Sequence, residues 1–177
     1  MADGVPNSVR LARTSDVDDV AAVQVRAWRA AYGGVLPADV LDALDPSDIA
    51  LEWGRALLMP GASRLLVALD GNARVVGAAA IGPSSDPDAA GAGELSLLVV
   101  DPDAWRCGHG SRLLAASVDM LAQMGHREAL TWVPLADEPR RAFLLSAGWG
   151  PDSAYRDLES VDDRTVREVR MGTVIAD

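Results

Sequence analysis

Between Val99 and Leu114 the sequence reads VVDPDAWRCGHGSRLL, and its Gly108-x-Gly110 spacing at the start of an amphipathic run is suited to holding an anion. Glycines let the backbone turn closely. The unpaired N–H groups of a helix start face the same point as the positive end of its dipole, so a phosphate fits such a cradle.

Spacing separates the phosphate-binding loops that use glycine. A P-loop needs two glycines five apart followed by Lys and Ser or Thr, and no lysine fills that role here. A dinucleotide fingerprint needs Gly-x-Gly-x-x-Gly directly after a strand and an acid about 20 residues on. Leu113 stands at the third glycine position, and Asp101 to Cys107 separate strand from glycines. Neither pattern fits.

Composition narrows the chemistry further. The chain has 177 residues, 49% hydrophobic and 24% charged, which predicts one domain with a substantial core spanning 1–177. A net charge of −10 disfavours a nucleic-acid partner, because phosphate-backbone contact relies on clustered basic residues, and it is compatible with a cationic substrate. No apolar run reaches the roughly 20 residues a membrane span needs. The opening MADGVPNSVR has no basic-then-apolar leader pattern, and a single cysteine makes no disulfide framework, so a cytoplasmic setting is expected. Cys107, His109 and His126 lack metal-ligand spacing, and no metal is expected.

The elements that must position the loop follow from periodicity. Ser8 to Arg13 reads as a strand, and Ser15-x-x-Asp18 as a capping box opening a helix that Gly33-Gly34 ends. Along that helix Val17, Val20, Ala21, Trp28, Ala31 and Tyr32 form an apolar side, and Asp19, Arg26 and Arg29 a polar one. Short helices follow from Pro37 to Leu44 and from Pro46 to Leu58, before Pro60-Gly61. Leu65–Leu69 and Arg74–Ile81 form a hairpin around Asp70-Gly71-Asn72, where Gly and Asn tolerate positive φ. Residues 82–93, GPSSDPDAAGAG, read as a mobile surface loop. Glu94–Val100 is a central strand, Gly108–Met124 a helix, Ala129–Val133 a strand, Glu138–Ala147 a helix closed by Gly148, and a tail follows with one or two strands, the last near Val166–Ile175. This mixture of hairpins and strand–helix–strand units predicts an α+β or mixed α/β fold.

Several of these segments, in order, resemble the GNAT N-acetyltransferase superfamily. The strand, Pro102, Gly108-His109-Gly110 and Leu113-Leu114 are similar to its motif A, Arg140-Arg141-Ala142-Phe143 to Ala147-Gly148-Trp149 to its motif B, and Val9 to Arg13 with Trp28 to Pro37 to its opening. The resemblance implies a mixed, mostly antiparallel sheet of six to seven strands flanked by helices, with a splayed parallel pair admitting acetyl-CoA. It places Leu98, Val99 and Val100 on the pantetheine amides, and Arg106, Gly108, His109, Gly110 and Ser111 on the pyrophosphate. Asp137, in place of the usual motif B asparagine, joins the cofactor-binding set. Trp28 and Tyr32 fall where the family builds its acceptor wall, and a homodimer is also implied.

The implied reaction moves an acetyl group to a primary amine, on a small molecule or a protein. An amine of pKa ~10 is protonated at neutral pH, so a base is the first requirement. Glu94, 14 residues before Gly108, stands at the spacing of the catalytic glutamate of histone-type members; otherwise it is a solvated strand-start carboxylate. Trp53, Trp132 and Trp149 read as core, and both histidines as surface or loop residues. Trp105 replaces the family's Gln or Arg, and Leu144 the tyrosine that protonates the leaving thiolate, which leaves water or Tyr155 for that role. These departures motivate the alternative of a non-catalytic acyl-CoA-binding or regulatory protein.

Overall fold

Turn chemistry and alternation build the first half of the sheet in the computed structural model, which describes residues 7–59, 61–159 and 165–175. Most of the opening stretch read for a leader, and Pro60, lie outside those residues. Strand β1 (Ser8–Leu11) pairs antiparallel with β2 (Arg64–Leu69), and β2 with β3 (Val75–Pro83). At the hairpin the Asp70 carboxylate accepts the N–H groups of Asn72 and Arg74, both at 2.9 Å. The left-handed residue is Ala73 (φ 60°), not Gly71 or Asn72, because the Asp70 side chain fixes the turn around it.

Three helices precede β2: α1 (Val17–Tyr32), α2 (Ala38–Asp42) and α3 (Pro46–Leu58). The expected Ser15/Asp18 capping box is replaced by a 3-10 turn at Thr14–Asp16. There Asp16 takes the Arg13 N–H at 2.6 Å and a two-pronged bond from the Arg10 guanidinium, a better-satisfied carboxylate than Asp18 would be in solvent. α3 has the boundaries expected, since Asp45 caps the Ser47 N–H and Pro46 supplies a preset φ at the first turn.

β4 (Gly93–Val100) pairs antiparallel with β3 and parallel with β5 (Glu128–Pro134). The order of the seven-stranded sheet is β1-β2-β3-β4-β5-β7-β6, with β6 spanning Gly150–Glu159 and β7 Thr165–Val174. β4 is therefore central, as its apolar run requires. Between β4 and β5 runs α4 (His109–Gln123), and α5 (Glu138–Ser146) follows β5.

The sheet is buried on both faces along β2, β3 and β4, whereas β6 is largely exposed. α1 and α3 cover one, where Val20, Val23 and Ala27 meet Val67, Ala78 and Val99. α4 and α5 cover the other, where Leu113, Leu121 and Leu144 meet Val76, Leu95 and Leu98. Each fully buried leucine contributes about 1.5–3 kcal/mol relative to exposure. A Cβ on Gly77 would lie 2.9 Å from the Val99 carbonyl oxygen and from Leu113 Cδ1, so the small residue lets α4 approach the sheet.

The 82–93 connection carries more structure than expected. Its Ser84 N–H bonds the Ala92 carbonyl at 2.9 Å, Pro87–Ala89 form a 3-10 turn, and Asp86 pairs with Arg170 of β7 at 2.7 Å. His126 Nδ1 lies 2.8 Å from the Gly91 oxygen. Among the described residues, no helix is long and apolar enough to cross a membrane.

Candidate active site

The site begins where two parallel strands part. β4 and β5 pair at Gly93–Ala129 and Glu94–Leu130, and among the described residues the pairing goes no further. Two features make the parting stable. The β3–β4 register slips between Ala80 and Ile81, so Ser96 is an extra residue in β4 and the strand bends. The Leu95 carbonyl accepts the buried Thr131 hydroxyl at 2.8 Å.

The gap opens into a cleft of about 940 Å³. β4 contributes Leu98, Val99 and Val100, and α1 contributes Trp28 and Tyr32. At the mouth stand Trp105, Arg106 and the first turn of α4; opposite them α5 offers Pro139, Arg140 and Phe143. Gly108 takes φ 81° as the residue before α4, a conformation that side chains resist. Gly110 and Ser111 follow in the first turn, so their N–H groups lie among those a helix leaves unpaired at its start. Every residue expected to hold the cofactor lines this cleft, Asp137 included, and so do both expected acceptor-wall residues.

Several side chains nevertheless do other work than expected. His109 is buried, not a surface residue, and among the described residues its Nδ1 has no hydrogen-bond partner. Burial and the neighbouring Arg112 charge push its pKa down against the pull of Asp70, so the neutral ring is favoured. Asp137 caps α5, accepting the Arg140 N–H at 3.1 Å. The Val100 carbonyl accepts the Trp105 indole N–H at 2.8 Å. Trp28 bridges both readings, since it packs on the α1-side core and also lines the cleft edge-on to Tyr32, ring centres 6.4 Å apart.

Glu94 is not among the cleft-lining residues. A Cβ on Gly93 would point at Leu121 of α4, and Leu95 sits in the α4-side core, so alternation turns Glu94 to the α1 side of the sheet. There its carboxylate accepts the Ser84 hydroxyl at 3.3 Å. Leu144 is fully buried against the sheet, while Phe143 faces the cleft. Tyr155 is exposed on β6 beneath the Arg167 guanidinium, outside the cleft. Tyr32 supplies a hydroxyl within the cleft: its oxygen lies 3.5 Å from Arg140 Nη1. Burial raises the Tyr32 pKa and outweighs the Arg140 charge, so the phenol stays protonated.

Two arrangements escaped the sequence pattern. Arg26, exposed as its place on the polar side of α1 implies, also pairs with buried Asp101, whose backbone N–H bonds the Val76 carbonyl at 2.8 Å. This ties the start of the loop to α1. Asp101 is ionised below the usual carboxylate range despite burial, because the Arg26 hydrogen bond and the Asp103 N–H outweigh desolvation. Trp132, read as core, instead lies beneath Arg156 at 4.4 Å and borders a second cavity of about 510 Å³ with Arg170 and Asp86. β5 extends past the helices that cover the α1 face, which leaves Trp132 to be covered by guanidinium groups. Trp149 is core, as expected.

A mixed sheet opened at a parallel strand pair, with a helix start at the mouth of the opening, defines a fold that can hold an extended, phosphate-bearing cofactor beside a second substrate. The chain belongs to the acetyltransferase (GNAT) family, whose model matches residues 25–149. It is 27% identical over 165 residues to "Uncharacterized N-acetyltransferase YuaI" of Bacillus subtilis (strain 168), covering 93% of this chain and 91% of that protein. Its fold is similar to that of PaiA N-acetyltransferase from Thermoplasma acidophilum in complex with coenzyme A. That pair has a TM-score of 0.71 at 14% identity, with 96% of this chain and 99% of the other covered. YncA from Salmonella typhimurium with its cofactor acetyl-CoA gives 0.69 at 19% identity, with 98% and 96% covered.

Proposed function

We propose that the protein is an acetyl-CoA-dependent N-acetyltransferase acting on a primary amine. The observation that carries this reading is the cleft itself: the strand split leads directly to the first turn of α4 at Gly108–Ser111. Acetyl-CoA is the co-substrate, its pyrophosphate on the α4 N–H groups and its pantetheine arm along Leu98 and Val99. The Val100 carbonyl is engaged by Trp105, so its share in holding the arm falls to its N–H and side chain.

The amine enters from the α1 side, past Trp28 and Tyr32, and loses its proton toward Glu94. Its nitrogen then attacks the thioester carbon; the C–N bond forms, the C–S bond breaks, and the backbone N–H of Leu98 or Val99 stabilises the oxyanion. The thiolate takes a proton, and Tyr32 is the donor this cleft offers in place of Leu144. The acidic chain favours cationic acceptors, and the free thiol of Cys107 suits a cytoplasmic setting.

Thiol release from acetyl-CoA across a panel of primary amines, free and peptide-borne, tests this. The chain contains no lysine, so its own side-chain amines do not contribute to the signal. Wild type should release thiol with at least one acceptor, and Glu94→Gln should be slower by ~10²-fold or more. Release with no acceptor would leave a binding protein. An unchanged Glu94→Gln rate would remove Glu94 from the reaction.

A further inference from the structure

The position three residues before Gly108 carries an aromatic ring, and the structure fixes where that ring stands. Trp105 is 47% exposed, a large apolar surface left in contact with water, yet it is not free to turn: its indole N–H donates to the Val100 carbonyl at 2.8 Å. The next residue, Arg106, is held at φ 63°, a conformation that costs a non-glycine residue energy and so indicates a loop shape imposed by its surroundings. A fixed, exposed ring on the rim of a cleft is a binding surface prepared in advance.

Its position selects the ligand group. Along the chain the strand end at Leu98–Val100 comes first, then Trp105, then the α4 N–H groups. Coenzyme A has a matching order: two amides, then the pantoyl unit with its paired methyl groups, then the pyrophosphate. The pantoyl methyls are the branched apolar part of the cofactor. The surface around the α4 start is apolar as well: a Cβ placed on Gly110 would lie 3.7 Å from Val100 Cγ2 and 3.8 Å from Phe143 Cζ.

We propose that Trp105 is a cofactor-positioning residue that packs its indole face on the pantoyl methyls of coenzyme A, reading the arm by shape where a cation would read the pyrophosphate. The inference rests on coenzyme A being the cofactor of the proposed function. Burying the exposed ring against two methyl groups is an apolar gain, independent of salt. The fixed orientation lowers the entropy lost on binding.

Calorimetric titration with coenzyme A, 4′-phosphopantetheine and adenosine 3′,5′-bisphosphate separates the pantoyl end from the nucleotide end. Wild type must bind coenzyme A; if it does not, the proposed function fails before this inference is reached. Trp105→Ala should weaken coenzyme A and phosphopantetheine about tenfold and adenosine bisphosphate less than twofold, with the coenzyme A loss unchanged between low and high salt. Trp105→Phe, which keeps a ring without the N–H, should bind coenzyme A at least threefold more tightly than the alanine variant. The inference is overturned by a coenzyme A loss below threefold, by a proportionate loss for adenosine bisphosphate, or by equal affinities of the phenylalanine and alanine variants.

Discussion

The Thr131 hydroxyl donates to the Leu95 carbonyl at 2.8 Å, one residue beyond the last register pair between β4 and β5. The bond satisfies a buried carbonyl that a continued parallel ladder would have used, so the strands can separate without leaving it unpaired. Thr131→Val keeps the shape and removes the donor. It should cost about 1–3 kcal/mol in denaturant unfolding and raise KM for acetyl-CoA, and Thr131→Ser should recover most of both. A valine variant with wild-type stability and KM would show that the split does not depend on this bond.

His109 should matter to folding more than to cofactor affinity, because its backbone N–H belongs to the helix start while its ring is buried. The folded-state pKa lies below the ordinary value, so stability is complete above about pH 6.5 and falls as pH drops through the folded pKa. His109→Leu removes both the titration and an unpaired buried nitrogen. Its unfolding free energy should rise by about 1 kcal/mol at neutral pH and lose this acid-side decline. Coenzyme A affinity should stay within twofold, and a larger drop would mean that the ring itself holds phosphate.

A second pH signature belongs to Asp16. The Arg10 hydrogen bond lowers its pKa, with burial opposing and the Arg13 N–H assisting. Its contribution is present above the unfolded carboxylate value of about 3.9 and is lost as pH falls through the lower folded value. Unfolding curves measured from pH 6 down to pH 2 should show a shallower acid loss for Asp16→Asn than for wild type. Parallel curves would place the acid sensitivity elsewhere.

Tyr32→Phe tests the leaving-group proton. The kcat should fall by ~10²-fold while coenzyme A affinity changes less than twofold. Thioesters whose thiol has a lower pKa should narrow the gap between variant and wild type. An unchanged kcat would return that proton to water.

Much of the fold could be read along the chain because its signals are local. α3 starts at a Pro and an Asx cap within three residues, and β4 is apolar enough to be central. The site was legible only as far as its backbone. The Gly108–Ser111 turn depends on neighbours in sequence, whereas the Arg26–Asp101 pair joins residues 75 apart, and it is this long-range pair that keeps the buried Asp101 charged. Leu144 illustrates a finer limit: one residue of helix rotation separates a cleft position from a core position, and only the packing of α5 on the sheet sets that rotation. Asp16 against Asp18 is the same problem at a helix start.

The last strand gives the cleft a place in time. β5, the strand that leads into the α5 wall of the cleft, meets β4 at Gly93–Ala129 and Glu94–Leu130, but meets β7 along its whole length from Glu128 to Pro134. A chain growing on the ribosome therefore carries the glycine loop, α4 and α5 long before Thr165–Val174 emerges to brace that strand. Cofactor affinity should appear late in synthesis, as a step, and a chain stopped after α5 should have the loop without the grip.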